Sequence, residues 1–368
     1  MAGRIKIGIV WIGLIGVVLA ICGCASDQGP IPQPQAEANA GEGAVETAQD
    51  QMAVPAPARQ PEAQPIAGEA DESKPAVNLA LRFSPGQMAT YTIVLEQGKS
   101  VTWQGAPAAK PAGFEDGYTD SRIEMTFRQE IRSVDEAGNA TAEIMIRAVT
   151  YINRIRNKII LEFDSTREAD ATSPMARLIG QSYQIALSRR GEVLGIVDAS
   201  QARAAVAGDT AAHQAAQRLL SDRDIADRHT VAALAALKPE PVRPGQSWSS
   251  VKSFSFTQMG SKSFERIYTM KEVSQSEGGP LAVVEMKAIP AAGEAREPQM
   301  GPYAGSYDNT AGCDGRLVFD VESGQVREYT EQMHTEWIVV DPATVQDGAA
   351  PAAVRMAASW RQQLVLVK

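Results

Sequence analysis

The sequence predicts an α+β fold, mainly antiparallel β, in which two related β-sheet units flank a helical segment. An open half-barrel is the layout this order implies. Three observations carry the expectation. Period-2 alternation of apolar and polar residues recurs from Leu81 onward, punctuated by Gly-containing turns. A central alanine-dense stretch switches to helical spacing. The landmarks of the first set of strands then recur in the same order after it.

In chain order, the first element is a leader, residues 1–24. Arg4 and Lys6 precede an uninterrupted apolar run, Ile7 to Ile21, which is the layout of an export signal. At roughly 20 uncharged residues, Ile7 to Ser26 could also serve as an uncleaved spanning anchor. The run ends in Ile21-Cys22-Gly23-Cys24. This resembles the lipobox of bacterial lipoproteins, with a branched aliphatic residue, then a small residue directly before the cysteine. Ile at the first of these positions and Cys at the second depart from the commonest form without breaking the pattern. The resemblance implies cleavage before Cys24, lipidation of that residue, and membrane lipid as its partner. Several acyl chains on one residue give stable anchoring. Ala25, in place of an aspartate after the cysteine, implies the outer membrane, facing the periplasm, over the inner one.

Residues 25–77 read as a tether. They are rich in Pro, Ala, Gln and Glu, contain no aromatic residue, and carry a net charge of −7. Such a composition buries too little apolar surface to offset chain entropy, so a disordered linker is expected.

The first β unit spans residues 78–198. A Ser84-Pro85-Gly86 turn opens a strand at Thr90 to Leu95, and Ile123 to Ile131 alternates cleanly. Asp135 to Asn139 turns the chain into a partner strand, Thr141 to Thr150; Arg154 to Phe163 reads as one further strand. Tyr183, Ile185 and Leu187 lead into the Arg189-Arg190-Gly191 turn and a closing strand, Val193 to Val197. The helical segment, residues 199–238, reads as two helices, Ala199 to Leu220 and Asp224 to Leu237. Asp222 or Asp224 is the expected cap of the second, and Pro239 and Pro241 end it.

The second β unit, residues 239–368, repeats the grammar. Arg82-Phe83-Ser84-Pro85-Gly86-Gln87 is echoed by Pro241-Val242-Arg243-Pro244-Gly245-Gln246. The Phe127–Ala148 hairpin is echoed by Phe264–Ala288, and the Gly191 hairpin by Leu317 to Val340 around Ser323-Gly324-Gln325. This pattern resembles β-rich secreted domains of bacterial lipoproteins in which a Pro-Gly-Gln strand opens each unit. That resemblance implies no activity.

Chemistry is sparse. Outside leader and tether the net charge is only −4, so no basic footprint for nucleic acid is present. With Cys24 lipidated and Cys22 removed, Cys313 has no disulfide partner, and its Thr310-Ala311-Gly312-Cys313-Asp314-Gly315 setting reads as a loop. His213, His229 and His334 are scattered. His334 falls on the polar face of its strand with Glu328, Gln332 and Glu336, opposite Tyr329, Met333 and Trp337. The acidic stretches Glu115 to Asp120 and Asp308-Asn309 with Asp314 lack EF-hand spacing and read as hydrated loops. Trp103, Trp248, Trp337 and Trp360 read as core and sheet edge. No Gly-x-Ser-x-Gly, phosphate loop or dinucleotide fingerprint is present. The expectation is therefore a non-enzymatic envelope module with no cofactor, no metal and no catalytic residue. Its expected partner is a hydrophobic or peptide ligand, with an envelope-protein scaffold as the alternative. Half-barrel lipoprotein carriers are similar in architecture alone.

Overall fold

The computed structural model describes residues 72–107, 110, 114–255, 261–291, 307–340 and 353–367; the leader, Cys24 and the tether before residue 72 lie outside the described residues. Twelve strands form one open antiparallel sheet. They are β1 (Met88–Gln104), β2 (Gly117–Val134), β3 (Ala140–Ile155), β4 (Lys158–Asp164), β5 (Ser182–Leu187), β6 (Val193–Asp198), β7 (Ser247–Ser255), β8 (Ser261–Ser276), β9 (Gly279–Pro290), β10 (Tyr307–Asp320), β11 (Gln325–Val340) and β12 (Ala353–Leu366). The order across the sheet is β6-β5-β3-β2-β1-β12-β11-β10-β9-β8-β7, with β4 on the upper part of β3. The two units are thus two wings of a single sheet. They join where β1 pairs with β12, from Tyr91 opposite Leu366 to Gln104 opposite Ala353.

Their relatedness is visible in hydrogen bonds. Gly86 N–H donates to Ile131 O at 2.8 Å, and Ile131 N–H to Gln87 O at 2.9 Å. Gly245 N–H donates to Met270 O at 2.8 Å, and Met270 N–H to Gln246 O at 2.9 Å. In both places the glutamine side chain folds back to accept from the residue before the proline, Ser84 in one and Arg243 in the other. Gly86 and Gly245 sit at φ +81° and +93°, which the third position of such a Pro-Gly turn requires. Reading from β1 and from β7, both wings run in the same direction across the sheet.

The β2–β3, β5–β6, β8–β9 and β10–β11 turns gather at one end of the sheet; the β3–β4 turn and the longer β1–β2, β7–β8, β9–β10 and β11–β12 connections leave from the other. The segment before β1 crosses the first of these ends. Val77, the last residue of the expected tether, pairs with Val242; Leu81 N–H donates to Arg189 O, and Arg82 N–H to Gly324 O. This strap holds the β5–β6 turn of one wing to the β10–β11 turn of the other. Gly324 (φ +65°) has no room for a Cβ, which would lie 2.5 Å from the Arg82 side chain.

Four short helices replace the two expected: α1 (Ser200–Ala205), α2 (Ala211–Leu219), α3 (Asp222–His229) and α4 (Ala232–Ala235). Gly208 at φ +156° interrupts the first stretch, and extended Thr230 the second. The caps are Thr210 and Ser221, not Asp222 or Asp224; both hydroxyls accept from the first turn of their helix. The helices cover the inner face of the sheet. His229 meets Phe127 edge-on at 4.8 Å between ring centres, and Trp248 Nε1 donates to Ala233 O at 2.8 Å. One continuous apolar core results, from Ile93 and Phe127 through Ile225 and Leu234 to Tyr268 and Trp337.

Two further readings are corrected. The single strand expected over Arg154 to Phe163 is the end of β3, a two-residue turn and β4; Arg156 and Asn157 both adopt positive φ (50° and 65°), the geometry of a tight hairpin. The segments around Asp308-Asn309 and Cys313 are strand β10, and Gly117 to Asp120 open strand β2; neither is loop.

Candidate functional site

The wings differ in how they fill their concave side. The first packs against the helices; the second curls upon itself. In a flat sheet β7 and β12 would lie about 24 Å apart, five spacings of about 4.8 Å. Yet Phe254 of β7 meets Trp360 of β12 with ring centres 5.9 Å apart. Inside this curl sits a charged cluster. Glu331 of β11, with its side chain 2% exposed, accepts from Arg266 Nη1 of β8 at 3.1 and 3.3 Å and from Tyr329 Oη at 2.7 Å. Arg266 also donates to Ser250 Oγ of β7 at 2.9 and 3.2 Å. Lys252, half-buried on β7, brings Nζ to 3.8 Å from Glu331 and 3.9 Å from the centre of the Trp360 ring. Burial pushes the Glu331 carboxyl up, but the Lys252 and Arg266 charges outweigh it and hold the group below its ordinary value. Burial, reinforced by the Glu331 charge, raises the neighbouring Cys313 thiol to about 12. Such a thiol stays protonated and is a poor nucleophile.

The outer face holds a larger feature, a trough of about 610 Å³ running across six strands. Its lining falls on two adjacent rows of cross-strand neighbours. One row reads Arg154, Asp120, Gly98, Ser359, His334, Gly312, from β3 through β2, β1, β12 and β11 to β10. The next reads Ile152, Arg122, Glu96, Arg361, Gln332, Asp314. Long, alternating strands place these side chains together on one face because residues opposite each other in register share a side. Small residues lie along the middle of the first row. A Cβ on Gly98 would stand 2.8 Å from Tyr118 Oη and 2.9 Å from Ser359 Oγ, so a side chain here would have to push both aside. The trough's charges are already paired. Arg122 bonds Glu96 and Glu124, Arg361 stands 3.5 Å from Glu96, Arg154 bonds Asp120 at 2.8 Å, and Gln332 donates to Asp314 at 3.0 and 3.2 Å.

Beneath the strap, a cavity of about 50 Å³ lies among Leu81, Phe83, Tyr91, Phe127, His229 and Leu364. That is room for water and not for an acyl chain. The Nε2 atom of His229 hydrogen-bonds Tyr183 Oη at 2.8 Å, and burial with the adjacent Arg228 charge keeps the imidazole well below its ordinary value and neutral.

The structure separates the residues that a hydrolytic or metal site would need together. Cys313 faces inward and Asp314 outward on β10. His213 lies in the first turn of α2, where its Nδ1 hydrogen-bonds Thr210 Oγ1, His229 is in the core, and His334 is on the outer face. Asp116 is held by Trp103 N–H and Lys110, and Asp120 by Arg154. Among the described residues no group of His, Cys, Asp and Glu could hold a metal ion. Trp248 and Trp337 are core residues, Trp360 is half-buried in the curl, and Trp103 packs edge-on to Phe114. Alternation on β11 places His334 as expected with Glu328, Gln332 and Glu336, but the same alternation sends Glu331 inward among Tyr329, Met333 and Trp337. The inward phase of Glu331 was readable from the sequence; its partners on β7 and β8 were not.

No protein-family model and no curated protein matches the sequence. Among solved structures, a lipovitellin structure concerned with lipid–protein interactions is similar at 11% identity, covering 78% of this chain and 26% of that one, with a TM-score of 0.38. This chain thus spans about a quarter of that one's length. DynF of the dynemicin biosynthesis pathway of Micromonospora chersina shares 8% identity over 78% of this chain and 85% of that one, at a TM-score of 0.14. OpdQ of Pseudomonas aeruginosa shares 7% identity over 76% and 98%, at 0.17. All three scores lie below that of a common fold.

Proposed function

We propose that this chain is an exported envelope lipoprotein, anchored through acylated Cys24, whose β domain is a non-enzymatic recognition module holding a polar, extended ligand in the outer-face trough. The trough is the observation that carries the reading. Its volume suits a small ligand, and nine of the twelve residues on its two rows carry polar side chains, the others being Gly98, Gly312 and Ile152. Of the ligand classes expected from the sequence, a hydrophobic cargo beneath the helices finds little support, because the cavity there is only about 50 Å³. Against catalysis stands the setting of the trough. Ser359 and His334 are register neighbours, but they lie on a sheet face whose backbone N–H groups are engaged in the ladder, so no backbone donors remain for an oxyanion hole.

The test places a photoreactive side chain at Gln332, in the trough, or at Lys271, an exposed position outside it, in the full chain in cells. Adducts from position 332 alone, lost when Gly312→Trp fills the trough, are expected. Equal labelling at both positions, or capture of a photoreactive fatty acid by residues beneath the helices, overturns the site. The anchor is tested separately: Cys24→Ser should release a soluble form, and unchanged membrane retention would mean that an uncleaved helix does the anchoring.

A further inference from the structure

We infer that the trough's ligand is a linear, uncharged oligosaccharide; this rests on the trough being the ligand site and names the class of molecule it takes. Charge is the first argument. Its lining holds three arginines and three carboxylates, and the arginines are already paired within the protein, Arg122 and Arg361 with Glu96 and Arg154 with Asp120. A charged ligand would have to displace one of these pairs, whereas a neutral one leaves them intact and uses their remaining lone pairs and N–H groups. The second argument is the kind of partner on offer. A sheet face presents side chains only, because every interior strand has spent its backbone groups on its neighbours. A peptide laid across it would carry a backbone donor and acceptor at each residue with no matching ladder to meet them. Sugar hydroxyls need what is present, namely carboxylates, guanidinium groups and amides, each able to bond two oxygens at once.

Shape agrees with chemistry. The two rows span six strands, about 24 Å at the usual spacing, and their middle is floored by Ser359 and by Tyr118, which covers Gly98, with Gly312 at one end. A linear chain can lie along that floor. Tyr118, 43% exposed, lies across Gly98 and offers a ring face, which stacks on the apolar face of a sugar ring.

The probes are the hexamers of N-acetylglucosamine and of glucose, with a heptapeptide of alternating Glu and Lys as competitor class, titrated calorimetrically against the full chain. At least one hexamer should bind, its affinity should be nearly independent of salt because no net charge is neutralised, and Tyr118→Ala should weaken it about tenfold. Gly312→Trp should abolish it with an unchanged thermal midpoint, since nothing lies within 4 Å of a Cβ built there. Lys271→Ala should bind as the parent does. If only the peptide binds, and Gly312→Trp abolishes that, the trough remains a ligand site and the oligosaccharide assignment is wrong. If a hexamer binds but Gly312→Trp leaves it untouched, the site itself is wrong. Failure of both hexamers at millimolar concentration overturns the assignment.

Discussion

Replacing Glu331 by Gln removes one charge from the curled wing and should destabilise the domain more than any single surface change. The side chain is 2% exposed and answers a guanidinium that is itself 9% exposed. Once the carboxylate is neutral, Arg266 keeps its charge in the same low-dielectric setting with only Ser250 and the amide oxygen to face. Breaking a buried pair from one side in this way costs about 3–5 kcal/mol. Against a total stability of about 5–15 kcal/mol that is a large fraction. At about 2–4 °C per kcal/mol for a domain of this size class, the midpoint should fall by about 6–20 °C. The companion is the triple variant Arg266→Met, Tyr329→Phe, Glu331→Leu, which removes both charges and the hydroxyl that Glu331 accepts from. Lys252, half-buried, can turn its amine to solvent. Burying similar apolar volume in place of an ion pair is commonly neutral or stabilising, so the triple variant should recover most of the loss. Urea unfolding of parent, single and triple variants measures both steps. A Glu331→Gln variant within about 0.5 kcal/mol of the parent, the range of an ordinary surface change, would show that the cluster is solvated. A triple variant no better than the single would show that its worth lies in shape rather than charge.

His229 and Cys313 give sharper readouts at less structural cost. The folded state holds His229 neutral, with its pKa pushed well below 6.5 by burial and by Arg228, while the unfolded chain takes up the proton near 6.5. The unfolded state therefore binds more protons below that pH, and stability should decline as pH falls from 6.5, at up to about 1.4 kcal/mol per unit. His229→Phe should flatten that slope between pH 6.5 and 5, and an unchanged slope would locate the titration elsewhere. Cys313, buried and raised to about 12, should react with iodoacetamide at pH 8 only as fast as the domain unfolds. Rapid labelling of the native protein would mean that the curl opens freely.

Much of the β architecture was legible because period and turn chemistry agreed. The Asp135–Asn139, Gly191 and Gly324 turns fall where Gly138, Gly191 and Gly324 permit positive φ, and alternation on β11 assigned its faces. The misreadings have local causes. At the Arg156-Asn157 turn, no glycine marks the positive φ, so two strands read as one. Strand β12 carries no strand signal because eight of the eleven residues from Ala353 to Gln363 are Ala, Met, Arg or Gln, which favour helix; pairing on both sides overrides that preference. Glycines at 312 and 315 made β10 look like loop, although Gly315 is where the Thr330 carbonyl and Met286 crowd the strand. The trough was illegible for a different reason. Its rows unite β3, β2, β1, β12, β11 and β10, and the register between β1 and β12 joins residues more than 250 positions apart. No local pattern encodes that.

The matched openings of the two wings set a lysine of the second against an apolar residue of the first. Counting from the matched glutamines Gln87 and Gln246, Lys252 of β7 occupies the position that Ile93 holds in β1. Ile93 is fully buried, in a strand paired on both sides, by β2 and by β12. Strand β7 pairs on one side only, with β8. Two copies of one unit laid side by side leave a second lead strand equivalent to β1 and equally fit to accept a neighbour, and an unmanaged edge of that kind invites pairing between chains. A lysine pointing inward from the edge strand makes such pairing costly, because an added strand would bury its ammonium group. Within the chain the same lysine lies 3.8 Å from Glu331, which reaches it from the far side of the curl with Arg266 as the third member. The polar cluster is on this view a consequence of the open edge.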